Sequence, residues 1–245
     1  MLAAQSQART VVSTTNTIDY PGATLTVAAG ISARGDIVGN YRLAAEAPRI
    51  RHGFLLSDGR FITVDVPGAM FTNALGIDHI GRIVGRFCTT IVVPCAPGMG
   101  PVHGFVRSGG QFFTIDFPDA IRTNAWKITP EGRIVGGYTR SDGHTRIFLL
   151  SEVGFTTADV PPSLEIALEI GGMNPRGDVV VTYCDSVGCP SSSIVHGLLM
   201  KKREFTVLDF PGAVSTSPFS ISPNGNIVGF YDDASGRRHG FLLRP

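Results

Sequence analysis

Seven side chains in this sequence could together hold or transform a small polar molecule. Glu169 is a carboxylate, Lys127 an ammonium, Asn73 and Asn124 are carboxamides, Ser217 is a hydroxyl, and Trp126 and Phe219 are flat rings. An aromatic face beside amides is a platform for a sugar ring or another small ligand. Binding alone needs no more than that. Hydrolysis or elimination on a sugar or ester would use Glu169 as acid or base, with Lys127, Asn73 and Asn124 orienting the substrate. Glycoside hydrolysis generally needs a second, facing acid. Glu165 and Asp119 are the nearest loop candidates. No Gly-x-Ser-x-Gly elbow, His-Glu-x-x-His pair or phosphate loop occurs, so the enzyme reading lacks its second group.

These residues gain meaning from a repeat that positions them. An Asp-x-Pro step recurs at Asp19, Asp65, Asp116, Asp159 and Asp209, at intervals of 43 to 51 residues. Gly-x-Ile-Val-Gly or a variant starts at Gly35, Gly81, Gly132, Gly177 and Gly225, and an aromatic closes each such segment at Tyr41, Phe87, Tyr138, Tyr183 and Tyr231. His-Gly-Phe-Leu or similar starts at His52, His103, His196 and His239, with Arg146 in the equivalent place of the third unit. Each unit reads as four short segments rich in β-branched and aromatic residues, separated by Gly, Asp, Ser and Pro. No stretch keeps an apolar 3.6 period. Four strands per unit of this length predicts an all-β, five-bladed β-propeller with four antiparallel strands per blade. The last unit stops after its third strand, while the chain opens on a fourth-strand sequence, Thr15 to Pro21. The N-terminal strand is therefore expected to complete the last blade, which closes a ring and hides its edges. Residues 1–14 are expected as a tail outside the fold, disordered or added to the protein, and 15–245 as one domain.

The Asp-x-Pro, Gly-x-Ile-Val-Gly and His-Gly-Phe-Leu-Leu markers resemble the bacterial extracellular HAF-repeat family, with Gly in place of the Ala of that tripeptide. The resemblance runs from about Asn16 to Leu243. It implies a secreted or envelope propeller and carries over no activity, because the family is defined by its repeat.

The cysteines fall into two local pairs, Cys88 with Cys95 and Cys184 with Cys189. Both pairs sit in the longest second-to-third-strand loops: 16 residues from Phe87 to His103 and 13 from Tyr183 to His196, against 8 to 11 elsewhere. Two disulfides clamping two extended loops is the economical reading, and it points to an oxidising compartment: secreted, periplasmic or cell surface. A zinc site of four thiolates is the rival, disfavoured because blades two and four would not be neighbours. Met1 to Arg9 carries no signal peptide, so the chain is expected to begin after one, with a new Met. The formal net charge of +1 argues against a nucleic-acid partner. No apolar run approaches the ~18 residues of a membrane helix. A monomer without cofactor or metal is expected. Asp142, Asp232 and Asp233 could touch Ca²⁺, but no Asp-x-Asp-x-Asp ladder supports it.

The site residues stand on the first strands, which line the channel of a propeller. One row, Thr26, Thr72, Thr123, Leu168 and Thr216, is nearly uniform and reads as structural. The next row, Val27, Asn73, Asn124, Glu169 and Ser217, differs from unit to unit and reads as a site. Either row could face the axis. Nearer the strand end, Gly30, Gly76, Gly172 and Ser220 suit a crowded axis, and Lys127 breaks that pattern. Lys127 with Glu169 could be an ion pair plugging the channel, and Trp126 could be inter-blade core. The repeated Asp and His residues read as structural, because chemistry needs a residue once rather than in every unit. His79 and His144 fall in turns and are expected on the surface. The ligand face is expected where the Asp-x-Pro and cysteine loops lie.

Overall fold

A computed structural model describes residues 14–89, 101–158, 169–184, 194–201 and 204–244. Among them are twenty β-strands. In chain order these are β1 (Thr14–Ile18), β2 (Ala23–Ile31), β3 (Ile37–Leu43), β4 (His52–Ser57), β5 (Arg60–Thr63), β6 (Phe71–Ile77), β7 (Ile83–Cys88), β8 (His103–Ser108), β9 (Gln111–Ile115) and β10 (Arg122–Ile128). There follow β11 (Ile134–Thr139), β12 (Thr145–Ser151), β13 (Gly154–Ala158), β14 (Glu169–Met173), β15 (Val179–Cys184), β16 (Val195–Lys201), β17 (Glu204–Val207), β18 (Ser215–Ile221), β19 (Ile227–Asp232) and β20 (Arg238–Arg244). The protein is all-β, as its repeat predicts.

Contacts divide the chain into two compact units. One is Met1–Asp19, Leu25–Ala28 and Ile166–Pro245; the other is Tyr20–Thr24 and Ala29–Glu165. The second holds the strand orders β3-β4-β5, β6-β7-β8-β9 and β10-β11-β12-β13, while β2, which pairs next to β3, is divided between the two units. The first holds β14-β15-β16-β17 and the set β18-β19-β20, to which β1 adds antiparallel from Thr14↔Arg244 to Ile18↔Gly240. Leu25 pairs in parallel with Arg238 of β20.

The first-to-second turn recurs with one chemistry. Gly35 N–H donates to Ser32 O at 3.1 Å and Ser32 N–H to Asp36 O at 2.9 Å. Gly35 has φ 94°, a conformation nearly free for Gly and costly for residues with a Cβ. The Ser32 hydroxyl accepts the N–H groups of Arg34 and Asp36, and Asp78 Oδ1 does the same for Ile80 and Arg82. A short polar side chain at the turn's start is thus required to satisfy backbone donors.

Successive sheets pack face to face. One core cluster joins Val38, Val64 and Val66 to Ile77, Ile83, Phe87 and Phe105; another joins Val84, Ile115 and Phe117 to Ile134, Tyr138 and Phe148. In the other unit Val180, Leu199 and Leu208 meet Ile221, Ile227, Tyr231 and Phe241. The third-strand Phe stands across the ladder from the Gly of Ile-Val-Gly: Gly85↔Phe105, Gly136↔Phe148 and Gly229↔Phe241. A Cβ on Gly136 would lie 2.4 Å from Phe148 Cζ and 2.1 Å from Asn124 O. The fourth repeat substitutes both partners, pairing Val181 with Leu198. A smaller third-strand residue accompanies a larger second-strand one, which conserves volume.

Among the described residues, four Asp-x-Pro steps act as joints. His52 donates through Nδ1 to Asp65 Oδ2 at 2.6 Å, while Gly53 N–H donates to Asp65 Oδ1 at 2.9 Å. His103 pairs with Asp116, His196 with Asp209 and His239 with Asp19, at 2.8 to 2.9 Å. The residue after the Asp stacks on the next repeat's closing aromatic: Tyr20 on Tyr41 at 3.5 Å, Phe117 on Tyr138 at 3.7 Å, Phe210 on Tyr231 at 3.9 Å. Those aromatics lie in turn against their own repeat's His, as Tyr41 does on His52 and Tyr231 on His239. In the third repeat Arg146 stands in the place of the His and pairs with Asp142; Asp159 lies outside the described residues. A side chain on Gly53 would meet Val64 O at 2.3 Å, so Gly rather than Ala is required beside the His.

Two outcomes are expected. In a double-mutant cycle, Gly136→Ala costs about 1–3 kcal/mol by overpacking, and Phe148→Leu recovers about 0.5 kcal/mol or more of that loss, read from urea midpoints. His52 loses proton affinity by burial, the largest single effect, but its hydrogen bonds to the carboxylates of Asp65 and Glu46 outweigh it and raise its pKa above 6.5. Its stabilisation is fully present below 6.5 and is lost as pH rises through the raised value. NMR titration of the His52 ring should show a midpoint above 6.5, and His52→Gln should flatten that fall in stability.

Candidate functional site

The uniform row on the first strands has a structural task. The hydroxyls of Thr72, Thr123 and Thr216, each 1% exposed, accept the backbone N–H groups of Val66, Phe117 and Phe210 at 3.0 to 3.2 Å. They tie these three strands to the joint before each. Leu168, the fourth member, lies outside the described residues.

The divergent row sits one residue later. Across their ladders Asn73 faces Arg86, Asn124 faces Gly137, Glu169 faces Thr182 and Ser217 faces Phe230. In the unit of Ala29–Glu165, Asn40 Nδ2 donates to Asn73 Oδ1 at 2.9 Å, and Arg86 Nη1 donates to Asn124 Oδ1 at 3.3 Å. Second-strand residues of one repeat thus reach first-strand residues of the next. In the other unit Ser217 is buried, and the buried hydroxyl oxygen of Thr182 has no hydrogen-bond partner. The side chain of Glu169 lies outside the described residues, so its pairing with Lys127 remains an expectation.

A bulge explains the aromatics. The ladder skips one residue between Ala74 and Gly76, Ala125 and Lys127, Ile170 and Gly172, and Pro218 and Ser220. Leu75, Trp126, Gly171 and Phe219 are the extra residues, and a bulge re-aims the side chains around it. Trp126 lies against Gly137, where a Cβ would come within 2.4 Å of its ring. Phe219 packs on Phe230 at 5.4 Å, and Arg238, held by Asp232 through two 2.8 Å bonds, covers Phe230 at 3.8 Å. The bulge also moves Lys127, which pairs with Val135, onto the face of Asn124, which pairs with Gly137 two residues away. Desolvation pushes the Lys127 ammonium down to about 8. A Cβ on Gly76 would lie 2.9 Å from Trp126 O and 3.2 Å from Lys127 Cα, so the small residues expected here do meet a neighbouring first strand.

Of the two acids offered as a second catalytic group, Asp119 does not supply one. Asp119 is exposed, with φ 59°, in the turn position that Gly22, Gly68 and Gly212 fill at φ 76° to 78°. It serves the turn, since Asp tolerates the left-handed region better than most residues. Glu165 lies outside the described residues. His79 and His144 are exposed. Asp142, Asp232 and Asp233 are engaged with Arg146, Arg238 and His239, and among the described residues no group of three His, Cys, Asp or Glu could hold a metal ion. Cys88 and Cys184 are each disulfide-bonded; Cys95 and Cys189, their expected partners, lie outside the described residues.

Three residues of this region escaped the sequence reading: Asn40, Arg86 and Arg122. Arg86 has its Nε shut from solvent without a partner, and its guanidinium stands 5.7 Å from the Phe71 ring centroid. Burial, and after it the nearby Arg122 charge, lowers the pKa of Arg86; burial also lowers that of Arg122. The signal was present. The second-strand row Asn40, Arg86, Gly137, Thr182 and Phe230 varies between repeats as much as the first-strand row does. Elsewhere, a cavity of about 460 Å³ is lined by Glu131, Arg133, Leu149, Ser151 and Glu152, at the turn end of the β10–β13 sheet rather than the expected loop end.

No family model matches this chain, and no curated protein does. Solved structures that resemble it include the fucose-specific lectin of Aleuria aurantia, with 14% identity, 88% of this chain and 73% of that chain covered, and TM-score 0.46. Streptogramin B lyase shares 9% identity over 95% of this chain and 98% of its own, with TM-score 0.45. TolB from Acinetobacter baumannii shares 17% identity with TM-score 0.43, and the match spans 89% of this chain but 54% of TolB.

Lys127 gives this region a pH signature. With its folded pKa near 8 against an ordinary 10.5, the unfolded chain binds more protons between these values. Stability therefore rises with pH across that window. Urea midpoints should climb from pH 8 to 10.5 in the natural protein, and Lys127→Met should remove that part of the climb.

Proposed function

We propose that the protein is a five-bladed, HAF-like β-propeller, secreted or held in the envelope as a monomer, that binds a glycan or other small envelope ligand. Its candidate contacts are Asn73, Asn124, Trp126, Lys127, Glu169, Ser217 and Phe219, now joined by Asn40 and Arg86. One observation carries the reading. Turns, joints and core pairs repeat nearly unchanged, whereas the second-strand row Asn40, Arg86, Gly137, Thr182 and Phe230 differs in every repeat and keeps a buried, unpartnered donor at Arg86. A pure scaffold has no need of such a donor, because burying one unpaired costs about 1–3 kcal/mol. The disulfide-bonded Cys88 and Cys184 support an oxidising compartment, with Cys95 and Cys189 as partners.

The second reading, a hydrolase or lyase using Glu169, is less favoured because Asp119 is a turn residue. A glycan array followed by product analysis separates the two. Retention of at least one glycan without turnover is expected. Turnover abolished by Glu169→Gln would establish the enzyme instead. Neither binding nor turnover would leave a scaffold for protein contacts.

A further inference from the structure

We infer that the ligand of this proposed binding module carries a carboxylate, seated on Arg86 and Asn124, which makes an acidic saccharide of the uronate type the fitting class. The inference rests on the ligand-binding reading and sharpens it. A guanidinium offers two useful edges, and the one formed by Nε–H and an Nη–H matches a carboxylate side-on. Among the described residues the only hydrogen bond from the Arg86 side chain is Nη1 to Asn124 Oδ1 at 3.3 Å. Nε is buried and unpartnered, so the carboxylate-matching edge is the one left without a hydrogen bond.

The surroundings select an anion. No carboxylate lies within ion-pair distance of Arg86 among the described residues, although Arg82, Arg146, Arg176 and Arg238 each have one. The segment 90–100, which follows Arg86 closely in the chain, contains neither Asp nor Glu. Arg122, itself 7% exposed, adds a second positive charge near enough to weaken proton binding by Arg86. Like charges held together out of water are relieved by an anion and worsened by a cation. Asn124 gives its oxygen to Arg86, which leaves its amide N–H groups as further donors. Phe71 backs the guanidinium at 5.7 Å and restrains its plane. The arrangement is rich in donors and poor in acceptors, the reverse of what a neutral polyol needs. One forked edge and one amide offer donors enough for the two oxygens of a carboxylate.

The test uses the whole chain with D-glucuronate, its oligomers, matched neutral glucose oligomers and a 6-sulfated glucose. The Arg86 Nε–H signal in ¹⁵N NMR should move on adding glucuronate and stay in place with glucose. Arg86→Gln should weaken glucuronate-oligomer binding by about 10- to 100-fold, the worth of a charged hydrogen bond. Arg86→Lys should fail to restore it, because an ammonium cannot present the fork. Should Arg86→Gln not fold, the Nε–H shift on the natural protein decides alone. An Nε–H signal unmoved by tens of millimolar glucuronate overturns the inference, as does a preference for the sulfated sugar. Neutral glycans bound equally well by the natural protein and by Arg86→Gln overturn the inference but keep the binding module. Absence of any glycan binding removes the module itself.

Discussion

The carboxylate of Asp-x-Pro is the interaction on which the other contacts of each repeat depend. One oxygen accepts the third-strand His and, in Asp65, the other accepts the following Gly N–H, so a single group fixes where the fourth strand ends. The Pro that follows restricts the residue between them to extended backbone. That residue then reaches the next repeat, as a stacked ring in Tyr20, Phe117 and Phe210. Its N–H is taken up by the buried Thr of the next first strand. An ion pair in the open is worth little, about 0–1 kcal/mol. Its value here lies in placing a ring contact, a backbone hydrogen bond and a strand start together. The divergent row begins one residue beyond that Thr, so the joint also sets where Asn73 and Asn124 stand.

Much of this was legible in the residues. The markers located all twenty strands within a few positions, the N-terminal segment was identified as the partner of β20, and the uniform Thr row was separated from its variable neighbour. These features follow from side-chain type and spacing. What escaped notice depends on backbone and on neighbours. A bulge adds a residue without a distinctive side chain, so the position shared by Leu75, Trp126, Gly171 and Phe219 gave no sign that the ladder skips there. Asp119 looked like a spare carboxylate because its left-handed backbone is invisible in a residue name. Arg86 is not visible in the pattern of the first strands, because its contact to Asn124 comes from a second strand of the preceding repeat.

The fourth repeat shows how the protein varies without losing its core. Gly against Phe becomes Val against Leu, which keeps the space between strands filled. The third repeat carries Arg146 in the place of the His, and there Arg146 pairs with Asp142 of its own second-to-third-strand loop. Such exchanges keep each sheet's packing intact while the residues of the variable row change freely.

The pairing of β1 with β20 has a bearing on biosynthesis. His239 and Asp19 are 220 residues apart in the chain and 2.8 Å apart in space. On the ribosome, β1 emerges well before β20, and the intervening repeats have time to collapse before the two can meet. Until then the third strand of the final sheet has an open edge and β1 is a solvated ribbon. Its sequence, TTNTI, is mostly short and polar, a composition that tolerates that wait with little tendency to stick to other nascent chains.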